Sequence, residues 1–287
     1  MASTPRPGRA NVLEAASAAE LPIGVATIAW AHTGPLVNRF PRGEGLLLAV
    51  CLSIAFAARP DAATFWAQVL VSTVVMALLY LLNDVYDCRQ DLNDPGKDQA
   101  LVRFYVPRRS SLLGLVALES AGAVLLAVAL LGARSGIAVA TVLLVNVAYS
   151  TVLKGRAVVD VLCVAVWGAA IAAVPGVAVP LSLLALVGIM TSICHIFQIT
   201  RDRSIDDVNR IRTSAVAASW LPGTQLAIAC GAMGLVLGDL LGPAAAATAA
   251  TPLVLRLALR SNQAAWLLSK AYYAVIWLVA LGTVSGH

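Results

Sequence analysis

From Ser111 to Gly132 the chain reads SLLGLVALESAGAVLLAVALLG, an apolar run interrupted by a single charge, Glu119. A run of this length matches the roughly 20 residues that an α-helix needs to cross the hydrocarbon of a bilayer. In that solvent only helices and closed barrels satisfy every backbone N–H and C=O, so the run dictates a helix. It is one of nine such segments, at about 45–59, 63–83, 111–132, 136–153, 157–176, 179–200, 221–239, 242–259 and 265–284. A tenth, 21–37 (LPIGVATIAWAHTGPLV), holds two prolines and His32 and is weaker; it could span, re-enter or lie at the interface. Charged residues make up 12% of the chain, against about 25% in a soluble domain. Too little polar surface remains to face water all round. The expectation is therefore an all-α integral membrane protein of about nine transmembrane helices with an extra N-terminal apolar segment.

Gly and Pro mark the breaks: Pro60, Gly132, Gly155, Pro175-Gly176, Pro222-Gly223 and Gly242-Pro243. Residues 1–20 are predicted to be a loose N-terminal tail, and 21–287 a single membrane domain, because no polar linker divides the chain. The opening residues carry Arg6 and Arg9 without a signal-peptide core following at once. Five cysteines stand singly, without metal-ligand spacing, and are expected to be small buried hydrophobes.

Only two connections are long and polar, about 84–110 and 201–213. With both on one side, fifteen basic residues fall on that face and two, Arg59 and Arg134, fall opposite. That asymmetry predicts a multi-pass cell-membrane protein with the two acidic loops on the cytoplasmic face. It also accounts for the net charge of +5: basic residues dispersed over short loops orient a membrane protein and do not suggest nucleic acid.

Those two loops hold the chemistry. Asp84, Asp87 and Asp91 stand at i, i+3 and i+7, one face of a helix over two turns, with Asn83 at its edge. Asp202 and Asp206 stand at i, i+4, again directly after a span. Stacked carboxylates repel one another, so something must compensate. Local cations could do so, and a divalent cation with hard oxygen ligands would do so better; Mg²⁺ takes one or two carboxylates and completes its shell with water and phosphate. Lys97, Arg103, Lys154, Arg203, Arg210 and Arg212 lie among these acids, which suggests a metal-bridged polyanion such as a diphosphate. The plainer alternative is that both loops are simply charged and solvated.

Asn83-Asp84-x-x-Asp87-x-x-x-Asp91 resembles the NDxxDxxxD signature of the UbiA superfamily of intramembrane prenyltransferases. Asp202-x-x-x-Asp206, followed by Ile211-Arg212-Thr213, looks like that family's second motif, and AYSTVLKGR (148–156) is similar to its YxxxxK segment. The resemblance runs from about residue 45 to the end. It implies nine helices around a central cavity open to lipid. It further implies two Mg²⁺ ions held by Asn83, Asp84, Asp87 and Asp91 and by Asp202 and Asp206. The implied partners are a prenyl diphosphate, an acceptor that is commonly aromatic, and membrane lipid. Catalysis is then expected from Asp84, Asp87, Asp202, Asp206 and Lys154, and diphosphate contacts from Lys97, Arg103, Lys154, Arg203 and Arg212. The second motif, DRSID, lacks the glycine usual before its last Asp, and Gln99 and Ala100 break the K-x-x-R-P-like segment that follows the first. These departures leave the acceptor open.

His195 and Gln198 precede Asp202 by seven and four residues and share its helix face; substrate contact and plain packing are both open for them. Asn146 and Tyr149, shortly before Lys154, are expected to line the cavity, since buried amides in lipid need partners. Glu119 reads either as an acceptor-binding base or as a hydrogen-bonded interhelical contact, and Asp160 as a helix-capping charge. Trp66, Trp167, Trp220, Trp266 and Trp277 are read as packing or interfacial residues. Three other activities compete: a terpene cyclase of the same type, a phosphoribosyltransferase acting on polyprenyl phosphate, and a small ion-coupled transporter. Against the last, the acids sit at helix ends rather than near the bilayer midplane.

Overall fold

The computed structural model describes residues 24–39, 45–94 and 96–285. The predicted tail, the first three residues of 21–37 and Arg42 lie outside them. The described residues form thirteen helices and their turns. We number them α1 (Val25–Arg39), α2 (Leu46–Ala57), α3 (Ala62–Asp91), α4 (Gln99–Leu131), α5 (Ala133–Leu153), α6 (Val159–Ala172), α7 (Leu181–Arg201), α8 (Arg203–Val208), α9 (Ser214–Ala217), α10 (Leu221–Leu241), α11 (Pro243–Thr248), α12 (Thr251–Ala258) and α13 (Asn262–Ser285).

Six of these, α3, α4, α5, α7, α10 and α13, are long and apolar enough to cross a membrane. The predicted spans at 45–59 and 157–176 are the shorter apolar helices α2 and α6. The protein is an all-α integral membrane protein, and its surface agrees: Leu118, Leu125, Ile228, Leu235 and Leu278 are large apolar residues turned outward. In water such a surface would be unfavourable; in lipid it is the ordinary exterior. The two most buried spans are α3 and α7, which carry the two aspartate motifs. Burial there fixes the backbones on which the acids stand.

Several ends follow from the sequence. Asp61 caps α3 by accepting from the Thr64 N–H at 3.0 Å, and Asp98 caps α4 by accepting from the N–H groups of Ala100 and Leu101 at 2.9 and 3.2 Å. Pro107 sits in a 3₁₀ turn, Val106–Arg108, within α4. Pro has no N–H to complete an α-helical ladder there.

Two prolines have consequences that only the packed structure reveals. The expected span 242–259 is split into α11 and α12, and Pro252 opens the second piece. Pro252 cannot donate to the Thr248 carbonyl four residues back, and the Tyr272 hydroxyl donates to that carbonyl instead, at 2.8 Å. The same repair occurs in α1. Pro35 leaves the Ala31 carbonyl without its helical donor, and the Tyr105 hydroxyl reaches it at 3.0 Å. The weak segment 21–37 is thus helical from Val25, docked against α3 and α4. There His32 Nε2 lies 2.9 Å from Glu119 Oε2 while His32 Nδ1 donates to the Ile28 carbonyl at 2.8 Å. Since Nδ1 must carry a hydrogen, either Nε2 or Glu119 carries the other. Of the two readings of Glu119, the structure shows the interhelical contact.

α6 and α7 cross closely because Gly168 meets Thr191. A Cβ on Gly168 would stand 2.4 Å from Thr191 Oγ1, inside any real contact. The buried carboxylate of Asp160 sits at the start of α6 and accepts from the Ser214 N–H (3.0 Å), the Ser214 hydroxyl (2.8 Å) and the Val161 N–H (2.9 Å). It ties the second acidic loop to α6 and does more than cap a helix.

Candidate functional site

A cavity of about 270 Å³ opens between α2, α3, α5, α6, α7 and α13. Its two ends differ in chemistry. At one end stand Asn83, Asp87, Gln90, Asp91, Asp94 and Lys97 from the first acidic segment, with Asp202, Asp206, Asn209 and Thr213 from the second. The loops touch directly: Asn93 Nδ2 donates to Asn209 Oδ1 at 3.0 Å, and Asn209 Nδ2 donates to the Gln90 carbonyl at 3.4 Å. Both motifs therefore lie at one end of the bundle. Away from that end the lining includes the aromatic rings of Trp167 and Tyr273, whereas Tyr80 and Trp266 lie against Arg39 and Arg201 beside the acids, with Lys270 also over Trp266.

The first motif stays helical through Asp91, so its acids keep the one-face spacing. Asp202 ends α7, and the Asp206 N–H donates to the Asp202 carbonyl at 2.9 Å, which preserves one turn between that pair. Tyr149–Leu153 closes α5 as a π-helical turn, with the Lys154 N–H on the Tyr149 carbonyl at 2.7 Å. Such turns are rare and gather at functional sites; this one brings Tyr149 and Lys154 to the same cavity. Gly155 then turns at φ 83°, and a Cβ there would meet the Arg212 N at 3.1 Å. The lysine segment and the second motif can meet only through a glycine.

Electrostatically the site is a set of carboxylate–cation pairs. Lys154 Nζ donates to Asp87 Oδ2 at 2.6 Å, and Lys97 Nζ lies 3.1 Å from Asp91 Oδ2. Arg201 donates two bonds to Asp202, at 2.6 and 2.8 Å, and Arg39 pairs with Asp84. Asn83 Oδ1 accepts from the Ser150 hydroxyl at 3.2 Å, and Asp206 accepts from the Thr213 hydroxyl at 3.3 Å. Among the described residues Asp206 has no ion-pair partner, and its pKa is pushed up to about 6 by burial, with Lys154 opposing the rise and Asp202 adding to it. Burial works most strongly against the Lys97 ammonium, but the charge and hydrogen bond of Asp91 together with the charge of Asp84 outweigh it and raise the lysine's pKa.

Most of the predicted site residues come together here: Asn83, Asp87, Asp91, Lys97, Asn146, Tyr149, Lys154, His195, Gln198, Asp202 and Asp206 all line the cavity. Asp84 is outside the lining and holds Arg39, which is part of it. The predicted diphosphate contacts Arg103, Arg203 and Arg212 do not line it. All three are exposed, as is Arg210, and Arg203 borders a separate shallow depression. Arg103 and Arg203 stand on outward faces of their helices and Arg212 on the exposed turn after α8, so nearness to the acids in sequence does not bring them to the cavity. Sequence reasoning missed Arg39, Gln90, Asn209, Trp167, Trp266, Lys270 and Tyr273. Gln90 and Asn209 were legible, each three residues after a motif acid (Asp87, Asp206). Arg39 had no local signal, being 45 residues from its partner.

Among the described residues, no three His, Cys, Asp or Glu side chains converge tightly enough to form an all-protein metal cage. The donor set nevertheless suits Mg²⁺. That ion needs only one or two carboxylates, with water and phosphate completing its shell, and the oxygen donors of both motifs share one cavity.

The sequence matches no protein-family model and no curated protein. Its fold does match solved structures of a UbiA homolog from Archaeoglobus fulgidus. The form bound to DMAPP and Mg²⁺ superposes with a TM-score of 0.63 at 12% identity, over 88% of this chain and 98% of that one. The form bound to GPP and Mg²⁺ gives 0.55 at 12% identity over 88% and 99%, and the form bound to Cd²⁺ gives 0.54 at 13% identity over 84% and 97%. The chain has the fold of these UbiA homologues over almost their whole length.

Proposed function

We propose that this chain is a member of the UbiA superfamily, an Mg²⁺-dependent intramembrane prenyltransferase that moves an isoprenyl group from its diphosphate to an aromatic acceptor. One observation carries the reading: carboxylates of two motifs gather with Arg39, Lys97 and Lys154 at one end of a cavity that also carries apolar and aromatic side chains. That polarity is the polarity of a prenyl diphosphate. Solved relatives in fold hold DMAPP or GPP with Mg²⁺. The basic residues clustered at the acidic end support a cytoplasmic side for it.

In this reading Asn83, Asp84, Asp87 and Asp91 hold one Mg²⁺, and Asp202 and Asp206 a second. When bound, the metal supplies charge neutralisation for the departing diphosphate. Lys97, Lys154 and Arg39 bind and orient the diphosphate. They do so by leaving the carboxylates they now neutralise, so their charge develops where the leaving anion forms. The rings of Tyr80 and Tyr149, on helices beside the motif acids, face positive charge on the allylic carbon. The apolar lining excludes water that would otherwise trap that carbon. The tail lies along this lining and is at home in lipid.

Diphosphate release by the protein in nanodiscs tests the reaction. Prenyl diphosphates of increasing length are offered with and without Mg²⁺ and a pool of phenolic acceptors. Mg²⁺-dependent release that requires an acceptor is the expected result. Release without acceptor, with a cyclic product, would convert the reading to cyclisation. No release with any donor or acceptor would count against both.

A further inference from the structure

We propose that the joint of α3 and α4, at the acidic end of the bundle, is a docking site for the headgroup of an anionic phospholipid, held by Arg108 and Arg109 with Arg89 beside them. The site lies outside the cavity and does not depend on the prenyl-transfer reading.

The stretch from Asp84 to Arg109 carries Arg89, Lys97, Arg103, Arg108 and Arg109. Its acids are already engaged. Asp84 pairs with Arg39, Asp87 with Lys154 and Asp91 with Lys97, while Asp98 caps α4 and Asp94 accepts from the Gly96 N–H at 2.8 Å. Among the described residues, Arg89, Arg103, Arg108 and Arg109 have no carboxylate at ion-pair distance. The joint is thus left with positive charge that the protein itself does not balance.

Two of these guanidiniums are held in place. Pro107 interrupts the α-helical ladder of α4 with a 3₁₀ turn, and Arg108 and Arg109 follow it directly. Arg108 lies over the ring of Phe104, 4.5 Å from its centroid, and its Nη1 donates to the Phe104 carbonyl at 3.0 Å. Arg109 lies over the ring of Tyr86 on α3, at 5.5 Å. Both rings pack against an apolar cluster apart from the main core, which includes Leu82, Val85, Leu101 and Leu112. The stacking buries the Nε atoms of both arginines, while the side chains remain partly exposed, so the outer edge of each planar fork meets the surroundings. Arg89 follows Tyr86 by three residues, and Arg89 and Arg109 both bear electrostatically on Cys88, which places them on one patch.

The position of the patch selects its ligand. Arg109 stands two residues before the apolar run 111–132, whose Leu118 and Leu125 face outward. That is the level at which a bilayer presents its phosphates. A guanidinium meets two phosphate oxygens at once, and basic pockets between spans suit anionic headgroups. Stacking on fixed rings reduces the ordering that binding would require. An acidic protein segment would match the charge but would have nothing to lay along the outward apolar face of α4, where acyl chains fit. A lipid bound here would brace α3 against α4 next to the segment 92–98, which carries Lys97 to Asp91.

The test titrates the full chain in detergent micelles with phosphatidylglycerol or phosphatidylcholine and reads bound lipid by native mass spectrometry. The first phosphatidylglycerol should bind at least about tenfold tighter than phosphatidylcholine, whose choline balances its phosphate. Arg108→Gln and Arg109→Gln should each weaken phosphatidylglycerol by about fivefold. Arg260→Gln, at an exposed arginine beyond α12, should not. Arg109→Lys keeps the charge and loses the planar fork; it should weaken the lipid by about threefold or more, and it decides the matter if the glutamine variants fail to fold. Millimolar inorganic phosphate should leave the lipid in place. Equal affinity for the two lipids, or an equal loss in Arg260→Gln, would reduce the patch to general attraction and overturn the proposal. Undiminished binding by Arg109→Lys, or displacement by inorganic phosphate, would overturn it as well.

Discussion

At the residue scale, the acids of the two motifs are not alike. Asp84, Asp87, Asp91 and Asp202 each have an adjacent cation, whereas Asp206 has a hydroxyl and a pKa of about 6. The sign of its effect follows. A carboxyl whose folded-state pKa is raised contributes stability that is present below its unfolded value of about 4 and is lost as pH rises through about 6. In the metal-free protein, Asp206→Asn should therefore raise the melting temperature at pH 7 and leave it little changed at pH 4. Mg²⁺ competes with that proton, so its affinity should climb between pH 5 and pH 7, and the climb should flatten in Asp206→Asn. Scanning melts and Mg²⁺ titrations at three pH values check both. Lys154 both pairs with a first-motif acid and bears electrostatically on a second-motif acid. Lys154→Gln should lower kcat by about 10²-fold or more, in line with the loss of one donor to a developing anion, read as diphosphate release at saturating donor. That Asp87 and Asp91 share a face was legible from spacing alone; that Asn83 rather than Asp84 joins them in the cavity lining was not. Nor was it legible which cations reach the acids: Arg103, Arg203 and Arg212 are near in sequence and point outward, while Arg39 is far in sequence and lies beside Asp84.

At the element scale, hydropathy located nearly every helix, because a bilayer imposes one length and one polarity. It did not foresee where helices would break or how a break is repaired. Pro252 is visible in the sequence, but the donor that replaces its missing N–H is Tyr272 on another helix. The same holds for Pro35 and Tyr105. Tyr272→Phe and Tyr105→Phe should each destabilise the fold by about 1–2 kcal/mol, the cost of leaving one carbonyl unpaired away from water. Neither should alter Mg²⁺ affinity by more than about twofold, since neither tyrosine lines the cavity. Asp160 is a further case. As a lone acid near a helix start it read as a capping charge, yet its carboxylate accepts three hydrogen bonds and anchors the second motif's loop through Ser214. Asp160→Ala should strand those donors and cost about 3 kcal/mol or more, with faster hydrogen exchange across 201–214 as its specific signature. The π turn at Tyr149–Leu153 had no sequence signal either; backbone geometry at a helix end depends on what it must reach.

At the scale of the whole molecule, the protein presents apolar side chains both in its core and on its exterior. Apolar side chains face outward, and the polar residues are gathered at one end of an internal cavity between the two most buried spans. That arrangement makes the two motifs, 118 residues apart in sequence (202 − 84), parts of one site. The overall class and the paired motifs could be read from the chain because each has a local signature. The cavity's inner lining could not, since it is assembled from scattered residues of α6, α7 and α13. The most direct measurement is therefore binding of geranyl S-thiolodiphosphate to the protein in nanodiscs, with and without Mg²⁺, for the natural sequence, Asp87→Asn and Asp202→Asn. Binding that requires Mg²⁺ and falls by about tenfold or more in each variant is the expected result. Binding indifferent to Mg²⁺, or unaffected by the loss of either motif's aspartate, would contradict a single diphosphate site built from both.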